Sequence, residues 1–172
     1  MGRIRTWLRA GLTRRALAHA VRTAVAAMAS LLAARAMGMP EAYWATVTTL
    51  VVMQSTLGAE LTVSTQRLTG TALGALVGAA ASAWLGANLA TFGAGILLTG
   101  LICAVLHLDR AAYRFAGVTL AIVMLVARPQ PAWLAGIHRF VEVATGIVVA
   151  LAVTVVWPPD GHGPWKRSRR PA

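Results

Sequence analysis

The sequence predicts an all-α integral membrane protein, a six-transmembrane-helix bundle with amino and carboxyl termini both cytoplasmic. Three observations predict it. Hydrophobic residues make up 58% of the 172-residue chain and charged residues only 12%, with a mean hydropathy of +0.67, which lies outside the composition of ordinary soluble domains. Apolar runs recur at intervals that fit membrane spans of about 20 residues. Basic residues crowd the two ends and alternate loops. These features divide the chain into a basic tail over 1–16, a transmembrane domain over 17–158 and a second basic tail over 159–172.

The elements follow in order. A first span runs from about Leu17 to Met37, with Arg22 one turn inside it and Gly38-Met39-Pro40 ending it. Proline cannot continue that helix but suits the first turn of the next. The second span covers Pro40 to about Gly58, with Glu41 at its start, where the helix dipole favours a carboxylate. The segment Ala59 to Arg67 is polar enough to lie at the interface, and a third span extends from Leu68 to about Leu85. Along it Gly70, Gly74, Gly78, Ser82 and Gly86 recur every four residues, a stripe of small side chains that lets another helix approach closely, within the chain or between two copies.

Gly86-Ala87-Asn88 turns the chain into a fourth span, Leu89 to about His107. The fifth, Phe115 to Ala127, is short unless its helix begins near Ala111, with Tyr113 and Arg114 as interfacial anchors. The two prolines of RPQPAW make a turn, and a sixth span runs from Ile137 to Trp157, stopped by Pro158-Pro159.

Counting lysine and arginine sets the orientation, because cytoplasmic loops retain positive charge. With the amino terminus inside, the inner segments hold Arg3, Arg5, Arg9, Arg14, Arg15, Arg67, Arg110, Arg114, Lys166, Arg167, Arg169 and Arg170, against Arg35, Arg128 and Arg139 outside. The shortness of the second hairpin leaves a re-entrant alternative open. The Ala-rich run after the basic start resembles a secretory signal and Arg14-Arg15 a twin-arginine signal. Because the sequence beyond Pro40 is equally lipid-compatible, the first helix reads as a retained anchor.

The formal charge of +11 does not point to nucleic acid, since no reading motif or aromatic-interleaved basic surface accompanies it. Tail clusters of this kind hold cytoplasmic ends against anionic membrane lipid. The single cysteine, Cys103, lies in an apolar run and reads as a buried small side chain. His19, His107, His138 and His162 follow no metal-ligand spacing, and the chain carries no GxSxG, HExxH or phosphate-binding glycine loop. The sequence therefore predicts no enzyme, metal site or cofactor.

Ionisable groups inside spans are costly unless paired or wetted, so each is a candidate for function. Arg22 either snorkels to the cytoplasmic surface or attracts an anion entering from that side. Arg139 and Glu142, three residues apart, share a helical face and can pair near the interface; the alternative is that Glu142 exchanges a proton during transport. In the second span Thr49, Met53 and Thr56 fall on one face with Thr46 one turn above, beside Tyr43, Trp44 and Gln54. Such a face lines a polar path or bonds a neighbouring helix.

Three blocks together carry a resemblance. YWATVTTLVVMQSTLGAEL (Tyr43 to Leu61), QRLTGTALGALVG (Gln66 to Gly78) and RFVEVATGIVVALAVTVVWP (Arg139 to Pro158) keep the order and spacing of corresponding segments in the fusaric acid resistance protein-like and aromatic acid exporter superfamily, the integral membrane bound transporter domain. The likeness extends over about Arg15 to Pro158. It implies a multi-pass protein of the bacterial inner membrane that exports aromatic carboxylic acids or similar toxic organic anions. It also implies substrate roles for Tyr43, Trp44, Gln54, Arg67, Arg139 and Glu142, which together with Arg22, Thr46 and Thr49 from the reading of the spans make up the candidate substrate pathway. The larger members have two membrane halves and a cytoplasmic domain. This chain is a short single-unit form, which leads to the expectation of a homodimer with the glycine stripe as one interface. The competing reading is a non-transporting assembly or regulatory partner of a larger system, docked through the same stripe.

Overall fold

A computed structural model describes residues 14–54, 56–126 and 130–158. The basic residues Arg3, Arg5, Arg9, Arg128, Lys166, Arg167, Arg169 and Arg170, together with Ser55 and His162, lie outside the described residues. The described chain is all-helical and without strands. Its helices are α1 (Arg14–Ala36), α2 (Tyr43–Val52), α3 (Leu57–Leu85), α4 (Leu89–Val105), α5 (Arg110–Leu125) and α6 (Ala132–Val156). Three of them, over Ala16–Ala36, Leu57–Leu85 and Ala132–Val156, are long and apolar enough to cross a membrane.

Local chemistry explains the boundaries. Gly38, at φ +70°, closes α1: its N–H donates to the Arg35 carbonyl and that of Met39 to Ala34, the paired bonds of a Schellman cap. The hydroxyl of Thr56 accepts from the N–H of Ala59 to open α3, and the Asn88 side chain accepts from Thr91 to open α4. Pro131, with no N–H to leave unpaired, stands just before α6.

Three boundaries differ from the sequence reading. The second span shrinks to ten residues, about 15 Å of helix and half the hydrocarbon thickness, because the chain breaks at Met53 and Gln54. Correspondingly α3 starts at Leu57, so the polar stretch Ala59 to Arg67 is not an interfacial connector but the first third of the longest helix. Glu60, Ser64, Arg67 and Thr71 are spaced by four, three and four residues, which is one helical face, and all four are buried. The fifth helix begins at Arg110, as its length requires, and α6 begins five residues before Ile137.

The solvent-facing pattern of a soluble protein is inverted. Large apolar side chains such as Leu32, Leu76, Leu97, Leu101 and Val148 are more than half exposed, whereas Arg22, Glu60, Arg139 and Glu142 are almost completely covered. Lipid as the surrounding solvent accounts for both.

Helix α3 is the centre of the bundle, packing most extensively on α5 and α6, while α2 lies between α1 and α6. The small-residue stripe makes this possible. A methyl group added at Gly70 would strike the carbonyl of Ala112, and one at Gly74 the carbonyl of Ala116. The stripe is thus consumed inside the chain by α5, and its last member, Gly86, leaves the packing to end α3 at φ +75°. Gly74→Ala is expected to cost about 1–3 kcal/mol, because backbone rather than a flexible side chain must yield. Gly93→Ala, where the added methyl meets no atom within 4 Å, serves as the control; equal melting temperatures for the two variants in detergent would refute this account of the stripe.

Candidate functional site

Buried charges are stacked along the interior formed by α1, α2, α3 and α6. At the end of the bundle where α1 and α3 begin and α6 stops, Arg22 donates to the carbonyl of Gln54 at 2.9 Å and to that of Trp157 at 3.4 Å. It also stands 3.5 Å from the Glu60 carboxylate. Glu60 in turn accepts from the N–H of Gln54 at 3.0 Å. These contacts satisfy the backbone freed where α2 breaks. Arg22 is 2% exposed, so it turns inward instead of snorkelling.

At the opposite end a second cluster surrounds Arg139. Its guanidinium donates to Glu142 at 3.2 Å and to Glu41 at 2.7 Å, and lies 4.2 Å over the ring of Trp44. The Trp44 indole donates to Glu41, and the Glu41 N–H donates to the other Glu142 oxygen. The Arg139–Glu142 pair therefore forms as the spacing predicts. Glu142 is 1% exposed and stands ten residues, or about 15 Å, into α6. A cavity of about 210 Å³, room for several waters or one small organic ion, opens beside this cluster against Pro40, Gln130 and His138.

Between the clusters lies Arg67, about 15 Å along α3. Its Nε donates to the Thr48 hydroxyl at 3.1 Å, and its guanidinium lies 5.0 Å over the Phe115 ring. Although it is only 8% exposed, no carboxylate among the described residues pairs with it, and Arg139 is near enough to repel it. A desolvated cation without a counter-charge costs several kcal/mol, and an anion bound beside Arg67 would offset that cost.

The remaining residues singled out from the sequence divide clearly. Tyr43 is 54% exposed and touches Trp44, with ring centroids 5.5 Å apart. Thr46 donates to the Ala27 carbonyl of α1, and Thr49 donates to the carbonyls of Ala45 and Gly146, so both hold helices together rather than line a path. Thr56 is an exposed helix cap, and Met53 packs in the core. The Gln54 side chain bonds the Val51 carbonyl, and it is the backbone of Gln54 that enters the inner cluster. Sequence reasoning missed Glu60, Thr48 and Phe115, and it read Glu41 as a dipole partner rather than a ligand of Arg139. One signal could have found Glu60 and Thr48: the spacing of Glu60, Ser64 and Arg67, like that of Glu41, Trp44 and Thr48, is the spacing of one helical face.

Comparison with known proteins identifies the arrangement. No curated protein and no solved structure matches the chain. A family model described as fusaric acid resistance protein-like matches residues 24–153, a stretch that includes Glu60, Arg67, Arg139 and Glu142 and most of the helical bundle. The chain is a membrane protein of the fusaric acid resistance protein-like family.

Proposed function

We propose that this protein is a secondary transporter that carries aromatic carboxylic acids or similar toxic organic anions outward across the bacterial inner membrane, with Arg67 as the anion-binding group. The observation that carries the reading is the buried guanidinium with a hydroxyl and an aromatic face for company and no carboxylate to neutralise it. A carboxylate ligand would supply the missing charge, and its ring could stack beside Phe115. Family membership supports transport in general.

In this reading the chain crosses the membrane six times, with α2 and the break at Met53 and Gln54 together making the second crossing, both termini are cytoplasmic in keeping with the charge bias, and two copies act together. Arg139 and Glu142, with Trp44 and the adjoining cavity, would form the exit side. The small-residue stripe is filled by α5, so neither a partner protein nor the second copy would dock on Gly70, Gly74 and Gly78.

The test is accumulation of a radiolabelled aromatic carboxylate in an efflux-deficient bacterium, with and without the protein at verified membrane levels. Lower accumulation that is reversed by collapsing the proton gradient is the expected result. Equal accumulation across a broad panel of organic acids would overturn the assignment.

A further inference from the structure

The two halves of the chain repeat each other. Trp44-Ala45-Thr46-Val47-Thr48 of α2 returns 71 residues later as Phe115-Ala116-Gly117-Val118-Thr119 of α5, and Val52-Met53 returns as Val123-Met124. Arg67, Ala72, Gly74, Val77 and Ala80 of α3 return 72 residues later as Arg139, Ala144, Gly146, Val149 and Ala152 of α6. Helices α1 and α4 match at an offset of 69 by structure more than by identity. Buried Arg22, Ala26, Ser30 and Ala34 answer to buried Thr91, Gly95, Thr99 and Cys103. The ends of these helices agree bond for bond: Gly38 donates to Arg35 and Met39 to Ala34, as His107 donates to Ala104 and Leu108 to Cys103. His107, the one non-glycine with positive φ among the described residues, at +53°, stands where α1 has Gly38.

The packing obeys the same relation. Helix α3 runs parallel to α5, with Gly70 against Ala112, Gly74 against the Ala116 carbonyl and Gly78 against Val123. Helix α2 runs parallel to α6, with Glu41 bonded to Glu142, Gly146 against the Ala45 carbonyl and Met53 against Thr154. Exchanging α1, α2 and α3 for α4, α5 and α6 turns the α3–α5 contact into α6–α2, α1–α2 into α4–α5 and α1–α6 into α4–α3, and leaves α3–α6 in place; all are contacts of the bundle. Three helices to a repeat means that the second copy is inverted. In transporters built this way the substrate groups gather where the two repeats meet. Arg67 and Arg139 stand on the two helices of that contact, α3 and α6.

The two arginines are thus one position seen twice. Arg67 lies 5.0 Å over the Phe115 ring and Arg139 lies 4.2 Å over the ring of Trp44, the residue that matches Phe115. What differs is the acidic pair. The positions of Glu142 and Glu41 are held beside Arg67 by Gly70 and Ala112. We propose that the chain is two inverted three-helix repeats and that the Arg139–Trp44 cradle is a second site for a small organic carboxylate, in which Glu142 and Glu41 hold the place of the ligand. The cavity of about 210 Å³ beside Arg139 gives such an ion room to arrive. There it competes with the protein's own carboxylates, so it binds less tightly than at Arg67. That this difference favours outward release rests on the transport function proposed above; the repeat and the second cradle do not.

The test is chemical rescue of the full-length protein in detergent. Glu142→Gly installs the residue that the other half carries at this position. It is expected to melt below wild type and to recover several degrees, saturably, with sodium acetate but not with sodium chloride at equal ionic strength. The recovery should vanish when Arg139→Met is added. No saturable recovery, or equal recovery without Arg139, would overturn the second site. Glu41→Ala, which trims a less buried carboxylate, gives the same readout if Glu142→Gly does not fold.

The inversion has its own check. Met37 and Leu106 are matched and exposed, so single cysteines at these positions, in a Cys103→Ser background, should face opposite sides of the membrane. An impermeant maleimide should reach one in intact cells and the other only after permeabilisation; labelling of both from the same side refutes inverted repeats. Wild-type protein that binds no radiolabelled benzoate through Arg67 would defeat the transport reading and leave both results standing.

Discussion

Arg67→Met is expected to abolish organic-anion export while leaving the protein at least as stable as wild type. The two effects have one cause. Arg67 is a buried charge without a carboxylate partner among the described residues, so the fold carries its desolvation with a hydroxyl bond and a ring contact in return. Replacing buried charge by an apolar side chain of similar volume is commonly neutral or stabilising by about 1–4 kcal/mol. Thr48 is left able to bond within its own helix. Losing the cation from a desolvated anion site costs about 2–5 kcal/mol of binding, roughly thirtyfold to several thousandfold in apparent affinity.

Arg67→Lys should fall between, because an ammonium keeps the charge and loses the planar fork that matches a carboxylate. Export assays at matched membrane levels, with melting curves in detergent, check both halves. Normal export by Arg67→Met removes Arg67 from the mechanism, and joint loss of export and stability makes it a structural residue.

Arg139→Leu is expected to do the opposite to the fold, destabilising it by about 3–5 kcal/mol, the usual cost of stranding a buried charge. The substitution strands Glu142, which is 1% exposed, and removes a 2.7 Å partner from Glu41 and the cation from the face of Trp44. Glu142→Gln should cost much less, since an amide oxygen still accepts from the Glu41 N–H. Combining Arg139→Leu with Glu142→Leu should recover part of the loss, because the two residues act as one unit. Denaturant unfolding in mixed micelles reads all three variants. A small effect of Arg139→Leu alone would mean that water reaches this cluster and that the carboxylates are not stranded.

The two arginines thus differ in what they do for the fold. Arg139 meets two carboxylates and the face of Trp44, and it ties the first turns of α6 to the entry to α2. Arg67 is not compensated. This contrast, more than the presence of charge within the bundle, is the ground for proposing Arg67 as the binding group, and it is invisible without the contacts.

Much of the architecture was legible because lipid imposes strong rules on sequence. Apolar composition, the alternation of basic residues and the Gly-Pro punctuation located six helices, and the likeness of three blocks pointed to the family that the comparison confirms. The fourfold spacing of Gly70, Gly74 and Gly78 announced close packing, and the Arg139–Glu142 spacing announced a pair. Where the reading went astray, in the stretch from Met53 to Arg67, it did so because hydropathy measures a residue's cost in lipid and takes no account of what a neighbour can offer. Glu60, Ser64 and Arg67 look interfacial as a string, yet they turn inward when a polar interior receives them.

What the sequence determined by itself is therefore whatever depends on the surrounding solvent and on local backbone chemistry: helical class, lipid environment, the helix ends at Gly38 and Gly86, and the existence of a close-packing stripe. Only the tertiary structure decided which partner each buried polar group meets. It set Arg22 on the carbonyls of Gln54 and Trp157, gave Arg139 two carboxylates, left Arg67 with none, and spent the glycine stripe on α5. The physical reason is range. Hydropathy and capping act over neighbouring residues and leave their mark in the string, whereas the compensation of a buried charge is made across 32 to 135 residues of chain, by whichever helices the packing brings alongside.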